Sequence, residues 1–339
     1  MMAVNIANSL SKNGVESFLC ATRAEGNLKL KLNKEVEYLF LKRKNRFDFN
    51  AIFVLKKFII QNKINIIHAH SSSYFVAILV KLLYPNLKIV WHDHYGNSEE
   101  LKNRKKQPLK IFSHYFKEII VVNNLLKKWS ENVLKFSRVH YLSNYASFNN
   151  TEQVQILKGE TGKRLICVAG FRPQKDHLTL LKAFKTVRKH LNNWSLHLIG
   201  NHYNDDYYKS IINFIKVNKL NGAVYLYHGI TDIKSVLAES TIGILSSKSE
   251  GLPVSLLEYG LAKLPVIVTD VGECKNVVIN SEVGFVVPRE DELLLANKMK
   301  LLIGDLDLRN KLATNFNKHI LDNYSEQKII HKLLKIYNS

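Results

Sequence analysis

The sequence predicts an α/β protein built from two doubly wound, parallel-sheet domains facing a cleft. Three observations carry that expectation. The chain has 339 residues, enough for two domains of ordinary size. Short runs rich in β-branched residues alternate with amphipathic stretches along nearly its whole length, the pattern of parallel strands with helices on both faces. The alternation breaks once, in the polar segment 143–162, which holds no convincing strand. Hydrophobic residues at 46% and charged residues at 23% are globular values that exclude disorder, collagen and coiled coil.

Taken in order, Met2, Ile6, Ala7 and Leu10 give an opening helix one apolar face, and Gly14 closes it. Strands follow at 15–22, 64–68, 87–92, 118–122 and 138–142. A second series lies at 164–169, 195–200, 223–227, 241–246, 265–269 and 284–287. Between them are helical patterns such as 178–190, with Leu180, Leu181, Phe184 and Val187 at 3–4 spacing. After Pro288 the pattern is helical to the end. The domains are therefore expected at 1–145 and 163–322, with a linker at 146–162 and a terminal helix at 323–339.

Basic residues number 49 and acidic residues 29, a net charge of +20. Of this, +14 belongs to residues 1–150, so an anionic membrane surface or another polyanion is expected there. The runs Lys42-Arg43-Lys44-Asn45-Arg46 and Lys102-Asn103-Arg104-Lys105-Lys106 are its densest parts, and the mixed stretch 53–60 adds apolar contact. The apolar run 74–80 stops at Lys81, far short of the roughly 18 residues of a membrane span. The opening residues lack the charged leader and apolar core of a signal peptide. Cys20, Cys167 and Cys274 have neither disulfide nor zinc spacing. A cytoplasmic protein, docked peripherally on the inner face of the plasma membrane, is the expectation.

Candidate chemistry sits at strand ends, where doubly wound folds bind ligands. In the stretch 242–278 a buried strand leads to Glu250 and Gly251. Pro253 stands where a helix should begin, a position proline favours because its lacking N–H costs nothing there. The backbone around Leu252, Pro253 and Val254, at the positive end of that helix, suits an anion. Glu258 falls in its second turn; with Glu250 in the preceding loop, both carboxylates can face one cleft. On spacing alone, a capping Glu250 and a solvated Glu258 fit as well. In 168–184, Arg172 and Lys175 follow another strand end and could clamp a diphosphate. His92 and His94 share one face of a strand end, and His68 and His70 end another. No G-x-G-x-x-G or Walker motif occurs.

Glu250-Gly251-Leu252-Pro253 with Glu258, followed by Pro265-Val266-Ile267-Val268-Thr269-Asp270-Val271-Gly272, resembles the E-x7-E motif and next strand of retaining glycosyltransferase family 4, the group 1 glycosyltransferases of GT-B fold. The resemblance continues through residues 66–73 and 89–96 and into the terminal stretch 324–337, similar to the helix that crosses back onto the first domain. It implies that Glu250 approaches the donor sugar hydroxyls and that Glu258 holds the nucleotide's ribose. Arg172 and Lys175 would neutralise the leaving diphosphate, assisted by the backbone of Gly251, Leu252, Pro253 and Val254, and His94 would touch the donor sugar. No metal and no cofactor are implied; the nucleotide sugar is a substrate, and the acceptor is a glycan or lipid-linked glycan of cell-surface polysaccharide synthesis. Alternatives are a nucleotide-sugar epimerase or phosphorylase of the same fold, or a basic nucleic-acid-binding protein, against which the absence of an aromatic stacking motif speaks.

Three features depart from the family pattern. His202 stands where a second glycine is usual, and Tyr259-Gly260 replaces Ala-Met. The segment 3–22 resembles the family's first helix and second strand, so a strand and Gly-rich turn are expected upstream of Met1, from a start codon placed too late or a decayed copy.

Overall fold

The computed structural model describes every residue except Met1, Asn97, residues 149–155 and Thr231. The chain forms two compact units, Met1–Asn144 with Glu326–Ser339, and Tyr145–Ser325. The polar segment expected as a linker lies partly outside the described residues; its described part holds no strand.

The first unit runs α1 (Met2–Lys12), β1 (Phe18–Ala21), β2 (Glu37–Phe40), α2 (Phe49–Gln61), β3 (Ile66–His70), α3 (Tyr74–Leu83), β4 (Lys88–Asp93), α4 (Gln107–Phe112), β5 (Glu118–Val121), α5 (Asn124–Val133) and β6 (Val139–Tyr141). Its strands pair in parallel as two sheets, β1-β2 and β3-β4-β5-β6. Strand β2 was not expected from the sequence: it is short, half-exposed and bordered by charges, the usual dress of an edge strand. The strand expected at 64–68 starts later, because Ile64 N–H closes α2 by donating to the Ile59 carbonyl at 2.9 Å.

The second unit runs β7 (Arg164–Val168), α6 (His177–Arg188), β8 (Ser195–Ile199), α7 (Asp206–Val217), β9 (Val224–Tyr227), α8 (Ile233–Ala238), β10 (Ile242–Leu245), α9 (Val254–Leu261), β11 (Val266–Thr269), α10 (Cys274–Val277), β12 (Phe285–Val287), α11 (Glu292–Gly304) and α12 (Leu306–Tyr324). One parallel sheet of order β12-β11-β10-β7-β8-β9 carries it. Strands such as Leu165-Ile166-Cys167 and Ile242-Gly243-Ile244-Leu245 are buried on both faces, which is why they read as unbroken apolar runs.

The terminal helix α13 (Glu326–Asn338) belongs to the first unit. It buries Ile329, Ile330, Leu333 and Ile336, and Ser9 Oγ of α1 donates to Glu326 Oε1 at 2.7 Å. Among the described residues no helix is long and apolar enough to cross a membrane, and the three cysteines are free.

Candidate active site

In the second unit the chain leaves β7 through Gly170 and Phe171, whose N–H donates to the Asn201 carbonyl at 2.9 Å. A single 3-10 turn, Pro173–Lys175, then delivers the chain to Asp176. Asp176 sits in the left-handed region (φ 48°) and caps α6, accepting from Thr179 Oγ1 at 2.7 Å. This turn sends the two expected cations to different places. Arg172 is exposed, its guanidinium 3.3 Å from the Tyr203 hydroxyl. Lys175 instead points to Glu250, with Nζ 2.5 Å from Oε1. Lys175 is therefore paired with a buried carboxylate, while Arg172 stays at the surface. The reason is burial: the Glu250 carboxylate is 7% exposed, and a carboxylate that far from water needs a counter-charge. Ser247 Oγ donates to the same oxygen at 2.7 Å.

The Glu250 loop is held from behind. Gly272 (φ +53°) packs so closely that a Cβ there would lie 2.2 Å from the Glu250 carbonyl oxygen. Glu273 N–H donates to the Gly251 carbonyl at 2.9 Å, and Thr269 Oγ1 to that of Ser247 at 2.6 Å. The helix begins one residue later than expected: Pro253 is its cap, in extended conformation, and Val254 is its first residue. Proline's φ suits either place, so spacing alone could not choose. Pro253 has no polar side chain with which to cap α9. Glu258, in the second turn, is buried at 8% exposure, so the solvated alternative is ruled out.

Lys248 was not singled out from the sequence, yet it stands in the same loop. Its Nζ lies 2.7 Å from Glu290 Oε1 and 3.9 Å from Asp176 Oδ2, and the bond to Glu290 raises its pKa. Its place two residues before Glu250 was the available signal. Glu273 was missed as well, for it sits in the turn after β11 that only the fold brings against Gly251.

Both departures in this unit have packing causes. The Tyr259 ring fills the space over Gly243, where a Cβ would come within 2.6 Å of it, and its hydroxyl accepts from Val168 N–H at 2.7 Å. Gly260 gives way to Ile320 of α12, with only 2.3 Å to spare for a Cβ. His202 stacks on Tyr208 at 3.9 Å, and Tyr208 in turn bonds His228 at 2.7 Å.

In the first unit His94 belongs to a stack of four imidazoles at the ends of β3 and β4. His92 and His94 ring centres are 3.9 Å apart, and His68 and His70 are 4.4 Å apart. Tyr337 of α13 bonds His68 Nδ1 at 2.6 Å, His68 Nε2 meets His92 Nδ1 at 3.0 Å, and His70 Nδ1 meets His94 Nε2 at 2.9 Å. A neutral imidazole has one N–H and one lone pair, so the Tyr337–His68–His92 chain runs in one direction or the other as a unit. Burial pushes all four pKa values down, to about 3 at His68 and about 4 at His94. His92 is 1% exposed, while His68 and His70 also wall a cavity. The ligand atoms of His68, His70 and His92 lie within 4.8 Å of one another, the one histidine grouping among the described residues with metal-ligand spacing.

The basic surface is smaller than its sequence count. Arg43 is buried, 6% exposed, and Arg104 is drawn inside by a bidentate pair with Asp93 at 2.6 and 2.9 Å. Its guanidinium also lies over Trp129 at 4.3 Å and Tyr95 at 4.5 Å. Neither arginine can meet a membrane.

The model of the family described as glycosyl transferases group 1 matches residues 148–319, half of the chain, and that of glycosyltransferase family 4 matches residues 1–145. The chain belongs to the group 1 glycosyltransferases. Among its curated relatives, a Campylobacter jejuni N,N'-diacetylbacillosaminyl-diphospho-undecaprenol alpha-1,3-N-acetylgalactosaminyltransferase is 32% identical over 118 residues, 35% of this chain and 31% of that one. CapM, a capsular polysaccharide biosynthesis glycosyltransferase of Staphylococcus aureus, is 29% identical over 119 residues, again 35% and 31%. The chain thus matches about a third of the length of these two. An alpha-1,4-N-acetyl-D-galactosaminyltransferase of C. jejuni, named for a diphospho-undecaprenol-linked GalNAc acceptor, is 23% identical over 94% of this chain and 89% of its own. Two solved structures share the GT-B fold. S. aureus TarM, as a mutant with fondaparinux, alpha-GlcNAc-glycerol and UDP, has TM-score 0.81 at 13% identity, covering 100% of this chain and 96% of that one. Anabaena HepE with UDP-glucose has TM-score 0.80 at 13% identity, covering 99% and 94%. Glu250 is buried in the loop that leads into α9, and Glu258 is buried in the second turn of that helix.

Proposed function

We propose that this chain is a retaining, metal-independent glycosyltransferase that moves a sugar from a nucleotide sugar to a glycan or lipid-linked acceptor in cell-surface polysaccharide synthesis. The observation that carries the reading is the Lys175–Glu250 pair in front of the start of α9. A departing nucleoside diphosphate gathers negative charge, and the ammonium, the Arg172 guanidinium and the amides of Gly251, Leu252 and Val254 are donors suited to it. Lys175 then has two anionic partners to choose between. Engagement with the diphosphate loosens its hold on Glu250, whose oxygen turns to the donor sugar hydroxyls. Glu258 takes the ribose. Lipid-linked acceptors named for the C. jejuni relatives support the acceptor class. In the assay, nucleoside diphosphate is released only when acceptor is present; release without acceptor, or interconversion of the donor, would favour an epimerase or phosphorylase and refute transfer.

Peripheral docking on an anionic membrane is part of the proposal. Helix α2 buries Ala51, Ile52, Leu55 and Ile59 on one face, while Phe49, Phe53, Val54 and Ile60 stand exposed on the other beside Lys57. An apolar stripe next to a cation is how a helix lies in a lipid interface.

A further inference from the structure

The first unit buries a cation that nothing balances. Arg43 is 6% exposed, and its Nε and Nη1 are sealed from solvent without a hydrogen-bond partner. A guanidinium cannot escape burial as a lysine or histidine does, because its pKa lies too high for the proton to leave. A buried charge left alone is strongly destabilising, and each unmade hydrogen bond adds a desolvation penalty. Arg104 and Arg164 show the usual outcome. Arg104 has its bidentate pair with Asp93. Arg164 holds Glu239 Oε2 at 2.9 Å and the Leu157 and Gly159 carbonyls at 3.0 Å each. Arg43 has no such set.

Its position is one where parallel sheets receive ligands, at the carboxyl ends of strands. Arg43 stands just past the end of β2 and Arg23 just past the end of β1. Arg43 N–H donates to the Thr22 carbonyl at 2.9 Å, so the two chain ends run side by side. Arg23 is exposed, and its charge reaches Arg43: burial first, then this neighbour, push the Arg43 pKa down. Asp48 offsets only part of this. Its oxygens already accept from Lys44 N–H at 2.9 Å and from Ala51 N–H at 3.2 Å, which caps α2. Arg23, Arg43 and Lys44 against Asp48 leave a surplus of two positive charges.

We propose that Arg43 and Arg23 bind a diphosphate group, that of a lipid-linked acceptor; the acceptor's part in this rests on the transfer reading above. A single carboxylate would neutralise half of the surplus, whereas each phosphate monoester carries about −1.5 to −2 at neutral pH. The planar guanidinium also matches phosphate oxygens two at a time. What favours a lipid as the source is the chain that follows. From Arg43 it runs through the Asp48 cap directly into Phe49, where the exposed apolar face of α2 begins. A tail laid along that face brings its head group to the two arginines. Arg43 then meets a single inserted diphosphate, which its burial allows, and not the broad plane of a membrane.

The test measures binding of geranyl diphosphate, inorganic pyrophosphate and geraniol to the full chain by calorimetry. Arg43→Met should bind geranyl diphosphate at least about tenfold more weakly than wild type, as when a buried charge contact is lost. Its thermal midpoint in phosphate-free buffer should be no lower than that of wild type, because methionine removes an unpaired buried charge. Arg23→Ala, at an exposed position, keeps the fold and should weaken the same binding. Arg172→Ala, in the other unit, should leave it unchanged, and geraniol should not bind. Unchanged affinity in both Arg43→Met and Arg23→Ala, or a loss confined to Arg172→Ala, would overturn the proposal. So would dependence on Arg43 for pyrophosphate but not for geranyl diphosphate, which would mark a site for free phosphate. Acceptor-dependent release of nucleoside diphosphate is measured separately, so a failure of transfer leaves this binding result standing.

Discussion

Lys175 and Glu250 hold each other, and that changes what substitution at either one means. Lys175→Ala removes the counter-charge of a buried carboxylate, so it costs stability as well as rate. Glu250→Gln keeps the shape and the Ser247 bond and is the cleaner probe. Arg172 is exposed and its guanidinium bonds the Tyr203 hydroxyl, so Arg172→Ala tests the proposed diphosphate contact without disturbing the Lys175–Glu250 pair. Its transfer rate should fall at least about tenfold, and up to the hundred- to thousandfold loss of a missing charge-stabilising donor, with the thermal midpoint unchanged. Normal turnover in both Arg172→Ala and Glu250→Gln would remove this loop from the reaction. Gly272→Ala belongs with these. A methyl group 2.2 Å from the Glu250 carbonyl cannot be housed by rotating a side chain, and φ +53° disfavours alanine further. Donor binding should weaken sharply, by calorimetry with the nucleoside diphosphate, even at temperatures where the protein stays folded.

Helix α2 carries the membrane proposal because it has two apolar faces. The buried face is committed to α3 and the core; the other face stands exposed, with Phe53 at 56% and Phe49 at 66%. Phe49→Ser with Phe53→Ser should reduce flotation with anionic vesicles while leaving the helix folded, since Asp48 still caps it. Binding should also weaken with salt, at about 1 kcal/mol for each cation at the surface. Equal flotation of wild type and double variant, or no preference over neutral vesicles, would count against docking through α2. Arg43 and Arg104 were part of the charge that suggested docking, but both are buried. Only folding separates a surface lysine from an arginine whose partner, Asp93, lies eleven residues away.

The second unit places two histidines, His177 and His197, wholly inside its core, and burial lowers each pKa to about 4. In the unfolded chain they titrate near 6.5. Between pH 4 and 6.5 the unfolded state thus binds protons that the folded state refuses. Stability is flat above about pH 6.5 and declines as pH falls toward 4, by up to about 1.4 kcal/mol per pH unit for each group. His197 lies between Tyr225 and Tyr227, with rings at 5.3 and 5.7 Å, so phenylalanine fits the stack. Denaturant melts of His197→Phe from pH 7 to pH 4.5 should show a shallower loss than wild type; parallel curves would refute the assignment.

Much of this was legible in residue order. Period and length announced the strands of both units, because a buried parallel strand must be apolar on both faces and a helix must keep one apolar stripe. Glu250, Arg172 and Lys175 could be chosen because they follow strand ends, and Glu258 because it falls at a recognisable spacing from Glu250 in the helix that comes next. Which of them touch could not be chosen. The Lys175–Glu250 bond joins residues 75 apart, the Tyr337–His68 bond residues 269 apart. Such contacts depend on how β7 lies beside β10 and how α13 returns to α1. Local pattern dictates the period of an element and the chemistry at its ends, since these act within a few residues. Partners and the burial of a charge come from packing of distant segments, and no short stretch of sequence encodes them.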